Sequence, residues 1–267
     1  MTGGPVRLEN GDGVAVLTLD RPEARNAITD RDMLDAIISA LEQADTDPSI
    51  RVLVVTGAGG AFSAGGNVKD MRTRSGIFGG TPAEVSEAYR TTIQQIPRLL
   101  ATTDLVTIAA VDGPAIGAGF DLALMCDFRL ASSRARFAHS FVDLGILPGD
   151  GGAWFLTRIL GWQRAAELSF SARQVDADEA ARIGLVLEVL DPADLMPRAL
   201  DLAGTIAAKP PYSVRLTKRL LRAARSLPLE EFLDLTAAHQ AIAHHTDDHA
   251  EAMDAFFERR PGRFTGR

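Results

Sequence analysis

A single cysteine, Cys126, stands in 267 residues, which excludes an internal disulfide framework and a thiolate-rich zinc site and agrees with a reducing compartment. It lies in "LALMCDF" and reads as a core residue. No apolar run reaches the roughly 18 residues that a membrane span needs. Positive charge is not in excess either. With 28 Lys and Arg against 35 Asp and Glu, the formal net charge is −7, so a non-specific nucleic-acid or anionic-membrane surface is not expected. Any anionic ligand has to be held by local cations. The opening "MTGGPVRLEN" has neither a charged segment followed by an apolar one nor an Arg-rich amphipathic pattern, which points to the cytoplasm.

What is present alternates strand formers with helical periodicity, and the fold class is α/β. "VRLE" and "GVAVLTLD" flank "NGDG", a hairpin with a tight turn. Met33, Leu34, Ile37, Ile38 and Leu41 repeat at helical spacing behind a Thr29 or Asp30 cap. "IRVLVVTGAGGAFSAGGNV" is a buried strand that runs into a glycine-rich loop, and "EVSEAYRTTIQQIPRLLATT" is a helix kinked at Pro97. "LVTIAAVDGPAIGAGFDLALMC" repeats strand, glycine turn and helix. The strand "DFRLAS" follows, and "GILPGDGG" then turns into a helix from about Ala153. From about Pro192 the strand signals stop. Three amphipathic helices remain, the last broken near Thr246, and form an all-α extension packed on its own domain or on a neighbouring subunit.

Glycine-rich strand-to-helix turns often cradle phosphate, but here there is no G-x-G-x-x-G and no P-loop lysine, so a nicotinamide-dependent dehydrogenase is not expected. Ser63 is preceded two residues earlier by Ala61, not by the glycine of a nucleophile elbow. The four histidines His239, His244, His245 and His249 lack the glutamate of a zincin pattern, and no metal site is expected. "DGPAIGAGFD" is different, because a helix starting near Gly117 leaves N–H groups free to hold an oxyanion. Asp121, three residues after Ala118, lies on the same helical face. The alternative is that these glycines only permit close helix packing.

"GAGGAFSAGGNVKDM", "IAAVDGPAIGAGFDLALMCDFRLAS" and "FVDLGILPGDGGAWFLTRILG", in this order and spacing, resemble the enoyl-CoA hydratase/isomerase family, the crotonase superfamily. The resemblance runs from "LDRPEARNA" to "DDHAEAMDAFFERR". It implies a crotonase-like spiral of β-β-α repeats over residues 1–195 and a C-terminal helical oligomerisation region over 196–267, in a homotrimer or dimer of trimers. It also implies an oxyanion hole made by the N–H groups of Gly66 and Ala118, around the thioester carbonyl of an acyl-CoA. Asp121 matches the first of the two glutamates that grip water in hydratases. Phe141 falls where the second is expected. Asp150 in "PGDGG" is the candidate substitute, or else a cap of the helix that follows; Asp143 is a weaker candidate, and His139 reads as structural or as pocket wall. Arg25, Ala64, Gly65, Asn67, Lys69, Phe141, Phe256 and Arg259 are the implied contacts to the CoA substrate, with Arg260 also near. The implied activity is hydration of a trans-2-enoyl-CoA without further cofactor; the alternatives are double-bond isomerisation and a non-catalytic CoA-thioester-binding role.

Overall fold

The computed structural model describes residues 4–267; Met1 to Gly3, part of the opening segment read for a leader, lie outside the described residues. The first two strands, β1 (Val6–Gly11) and β2 (Val14–Leu19), form an antiparallel hairpin whose turn residues Asp12 and Gly13 both take positive φ. Helix α1 (Arg31–Thr46) leads to β3 (Val52–Gly57), then α2 (Val68–Thr73), α3 (Pro82–Thr91) and α4 (Gln95–Thr102) lead to β4 (Val106–Val111). Next come β5 (Pro114–Ile116), α5 (Ala118–Met125), β6 (Phe128–Ser132), β7 (Arg136–Ala138), α6 (Gly152–Leu160) and α7 (Trp162–Ser171). The chain continues through β8 (Val175–Asp176), α8 (Ala177–Arg182), β9 (Glu188–Leu190) and α9 (Leu195–Ala207) to α10 (Pro211–Ala223), α11 (Leu229–His244) and α12 (Asp247–Glu258).

Beyond the hairpin, the six-stranded sheet β1-β2-β3-β4-β6-β9 is parallel, and a second sheet holds β5-β7-β8. The β4 and β6 turns of the chain each give one strand to the large sheet, one to the small sheet, and a helix. The β3 turn keeps this plan in reduced form, with Ser63 bridging Ala115 in parallel where its small-sheet strand would be. Both faces of the large sheet are covered, which is why β3 and β4 are apolar without alternation. Val52, Val54, Val106 and Ile108 face Leu195, Ala199, Ala203 and Ala207 of α9, while Leu53, Val55, Ala109 and Val111 face the main core. The alanines, spaced by four, let α9 approach the sheet closely.

The expected single helix kinked at Pro97 is two helices. The break falls at Thr92, whose φ of −125° and ψ of −100° leave the helical region. Pro97 sits instead in the first turn of α4, where its missing N–H costs nothing. The first helix takes Asp30 as its N-cap residue, without a side-chain cap bond. The helical tail comprises four helices, α9 to α12, because the expected break near Thr246 separates α11 from α12; Thr246 caps α12 through its side chain. α10 is tied down by Lys218, which is 7% exposed and donates to Asp127 Oδ2 at 2.7 Å and to the Leu105 carbonyl. The same Asp127 oxygen accepts from Thr107 N and Oγ1. Lys218→Met leaves that carboxylate and carbonyl short of their donor, so a loss of about 2 to 3 kcal/mol is expected, read as a lowered urea midpoint with an unchanged slope.

Candidate active site

Three successive turns of the spiral each deliver one part of a shared site. From the β3 turn comes the loop ending at Gly66. Its donors are nearly all committed: Ala64 N–H to the Arg25 carbonyl, Gly65 N–H to Ser63 Oγ and Asn67 N–H to Thr29 Oγ1. Gly66 N–H alone in this run has no acceptor among the described residues. The loop is held by Asn26, fully buried at φ 54°, whose Nδ2 donates to the Ala58 and Ala61 carbonyls. Ser63 Oγ in turn donates to the Asn26 carbonyl at 2.7 Å.

From the β4 turn comes α5, whose first N–H, at Ala118, has no intrahelical acceptor. Gly65 (φ 81°) lets the two donors meet: a Cβ there would lie 2.2 Å from the Ile116 carbonyl and 3.0 Å from Ala118 N. Gly119 is equally constrained, since its Cβ would lie 2.4 Å from the Ser63 carbonyl. Close packing and a free pair of N–H groups are therefore one arrangement, not alternatives.

The same helix carries Asp121, 0% exposed. The β6 turn brings the other members, His139 just after β7 and Asp150 just before α6, at 1% and 3% exposure. Asp150 is not the cap of that helix. The N-cap is Gly151 in a left-handed conformation, with no side-chain cap bond. Asp150 is instead fixed by its loop: the Gly149 carbonyl accepts from Gln94 Nε2 at 2.8 Å, and a Cβ on Gly149 would strike the Tyr89 ring. Burial raises the Asp121 carboxyl to about 7, opposed by the Asp150 carboxyl and the Gly152 N–H. Asp150 is pushed well above its ordinary range by burial and then by Asp121. Two adjacent carboxylates have no hydrogen between them, and Asp121 Oδ1 and Oδ2, Asp150 Oδ1 and His139 Nε2 all lack a hydrogen-bond partner. A single proton shared by the pair supplies the missing donor.

His139 Nε2 lies 3.2 Å from Asp121 Oδ1, and burial lowers the imidazole to about 4, so the ring is neutral. Sequence reading gives His139 as structural or pocket wall and does not reach its contacts, because the second of them, Nδ1 to Ser169 Oγ at 2.8 Å, spans 30 residues of chain. Gly152 was missed too: a Cβ there would sit 2.0 Å from the Asp121 carboxyl. The "GG" before α6 was its signal. Phe141 lies edge-on to His139, ring centroids 5.0 Å apart, and near Gly117 at the start of α5. Asp143 is exposed and takes no part.

A cleft of about 1190 Å³ opens from Asp150, Tyr89 and Pro97 past Phe78, Val85 and Leu147, with Arg74, Arg90 and Arg98 on its walls. Arg25 and Lys69 stand exposed beside the Gly66 loop, and Asn67 caps α2 by accepting from Lys69 N–H. Phe256 and Arg259, at the end of α12, are exposed and do not line this cleft; Phe256 stacks edge-on with Phe257. Cys126 is buried in the core, its thiol raised to about 12 by burial.

The family model described as enoyl-CoA hydratase/isomerase matches residues 9–267. The crotonyl-CoA hydratase of Syntrophomonas wolfei is 36% identical over 258 residues, covering 96% of each chain. The 1,2-epoxyphenylacetyl-CoA isomerase of Escherichia coli is 34% identical over 255 residues, again with 96% of each covered. The crystal structure of an enoyl-CoA hydratase from Bacillus anthracis superimposes with a TM-score of 0.91 at 29% identity, over 98% of this chain and 100% of that one.

A carboxyl that holds its proton more tightly when folded costs stability as pH rises from its ordinary 3.8 through about 7. Asp121→Asn removes this deficit, roughly 4 kcal/mol at pH 8. It should raise the melting temperature there, with the gain gone by pH 4. Gly152→Ala should cost about 2 kcal/mol by overpacking, but under about 0.5 kcal/mol in an Asp121→Ala background, where the colliding carboxyl is gone; urea melts of the four proteins measure this coupling.

Proposed function

The chain belongs to the enoyl-CoA hydratase/isomerase family, and from that premise we propose that it adds water across the trans-2 double bond of an enoyl-CoA thioester. One observation carries this reading: two buried carboxyl groups, both raised above their ordinary range by burial, stand on the helix that begins at the unpaired Ala118 N–H and on the loop facing it. In this proposal the thioester oxygen sits between Gly66 N–H and Ala118 N–H. Negative charge moves onto that oxygen as the β-carbon is attacked, and the positive end of α5 stabilises it. Losing one such donor costs about 3 to 4 kcal/mol of transition-state stabilisation.

Asp121 and Asp150 would hold the water, one as base and one as acid, with a carboxyl poised near neutrality suited to both tasks. Asp150 thus takes over what Phe141 cannot do. Phe141 becomes an apolar wall beside the thioester. The CoA phosphates would be met by Arg25 and Lys69 flanking Ala64, Gly65 and Asn67, and by Arg259 with Phe256 from the tail of a neighbouring protomer. The exposed Leu229, Leu233, Ile242, Phe256 and Phe257 of α11 and α12 support such a trimeric assembly. The chemistry asks for no metal or redox group.

Double-bond isomerisation is the second reading, supported by Phe141 in place of the usual second acid and by the isomerase among the relatives; one carboxylate can carry one proton between carbons. Crotonyl-CoA is the discriminating substrate. Loss of its conjugated absorbance with wild type, and a fall of at least about 100-fold in both Asp121→Asn and Asp150→Asn, is the expected result. Turnover kept by Asp150→Asn, or 3-enoyl-CoA as the only substrate consumed, would select the isomerase. Binding of CoA thioesters without any turnover would select a binding role.

A further inference from the structure

The neighbours of His139 decide which ring nitrogen carries its hydrogen. Phe120 and Phe141 lie edge-on at centroid distances of 6.1 and 5.0 Å and leave only the two ring nitrogens with polar contacts. Nδ1 is 2.8 Å from Ser169 Oγ, and this hydroxyl has no other hydrogen-bond partner among the described residues. A Ser169 hydroxyl that donates its hydrogen here makes Nδ1 the acceptor. A neutral imidazole that accepts at Nδ1 carries its own hydrogen at Nε2. That nitrogen is 3.2 Å from Asp121 Oδ1.

A donor against a carboxyl favours the ionised form. Around Asp121 the titratable groups are His139 after β7, Asp150 before α6 and, beyond Asp150, Tyr89 of α3, whose hydroxyl feels the Asp150 charge. No lysine or arginine contributes to the shifts of Asp121, His139 or Asp150. The Asp150 charge also reaches the imidazole, while Nε2 lies nearest Asp121 Oδ1, at 3.2 Å and outside hydrogen-bond geometry. Nε2 thus stands against one of the two carboxyls, Asp121. The other faces Tyr89 and the cleft.

We propose that His139 is a positioning residue which, backed by Ser169, turns its Nε2–H to Asp121, makes Asp121 the ionised base of the pair and leaves the shared proton on Asp150. This rests on the hydratase reading for its catalytic consequence but not for its geometry. In the reaction, Asp121 takes a proton from water as the oxygen bonds to the β-carbon and the double-bond electrons move to the thioester oxygen. Asp150 gives its proton to the α-carbon as those electrons return. Asp121 then passes its proton to Asp150, so the pair ends as it began, with H and OH added to the substrate.

The tautomer is read directly by 15N NMR of the histidines in the free enzyme, with His139 assigned from His139→Gln. A protonated Nε2 and bare Nδ1 at pH 7 is the expected result, and the opposite tautomer overturns the proposal. 13C NMR of the aspartate carboxyls, with Asp121 assigned from Asp121→Asn, gives the second test. The Asp121 midpoint near 7 should rise by about one unit in His139→Leu and stay within about 0.3 in His139→Gln, whose amide N–H replaces the donor. With crotonyl-CoA the acidic limb of kcat/KM should move alike, a loss of about eightfold at pH 6.5 and under about 1.5-fold at pH 8.5. An unmoved midpoint in a folded His139→Leu, or Gln behaving as Leu does, refutes the role. Should His139→Leu fail to fold, Ser169→Ala carries the same test, and an unmoved midpoint there is equally decisive. If crotonyl-CoA is not consumed by wild type, the hydratase reading falls while the two NMR titrations still decide on His139.

Discussion

In the proposed reading, the chemistry of this molecule depends on two carboxyl groups buried side by side, to whose shifts no cation contributes. Isolated, each would cost several kcal/mol to ionise in such a place. Sharing one proton removes most of that cost, because one member stays neutral and donates to the other. The arrangement leaves little freedom to what surrounds it. Gly152 has to lack a side chain for the Asp121 carboxyl to exist where it is, and Gly149 has to lack one for Tyr89 to back the Asp150 loop. The pair is thus a demand on glycine as much as on aspartate.

Such a site needs a frame that does not relax around it, and the spiral supplies this by stacking. The Gly66 loop, the start of α5 and the His139 to Asp150 segment leave the small sheet or its Ser63 bridge at corresponding points of three consecutive turns. Each is fixed by hydrogen bonds to its neighbour, as Ile116 N–H to the Ser63 carbonyl and Gly117 N–H to the Ala138 carbonyl illustrate. A displacement of one turn would have to carry the next. Stability is given up at Asp121 and recovered in the two apolar layers on either face of the large sheet, where α9 and the main core leave almost no side chain of β3 and β4 in water.

How much of this the sequence discloses follows from the range of the interactions. β3 and β4 are legible because burial on both faces writes a continuous apolar run, and the start of α5 is legible because its glycines and acid are adjacent in the chain. Gly66 was reached only through resemblance, since a free N–H is defined by its neighbours being committed elsewhere. The break at Thr92 was assigned to Pro97 because proline is the visible signal, while a distorted φ and ψ at a threonine leaves none. Asp150 was ambiguous for a local reason: an acid before "GG" has the pattern of a helix cap, and only the left-handed Gly151 and the burial of Asp150 separate the two roles. His139 reads as structural or pocket wall, and its contacts are not legible because its neighbours lie 18 and 30 residues away, on elements whose packing no periodicity predicts.

Phe141 was read as a loss, an apolar residue where an acid was expected, and the geometry gives it a different meaning. Its ring borders both Gly117, at the origin of the α5 dipole, and the imidazole that faces Asp121. A carboxylate in that place would set a third negative charge against the developing oxyanion and against an already crowded pair. An aromatic ring instead lowers the local dielectric, so each N–H directed at the oxyanion acts more strongly than it would beside water. Moving the second acid to position 150 puts it where Tyr89 and the Gly149 loop hold it. In the proposed reading the proton-transfer groups then stand on one side of the oxyanion site and the apolar wall on the other, an order that a hydratase can use as well as an isomerase, with the placement of the shared proton deciding between them.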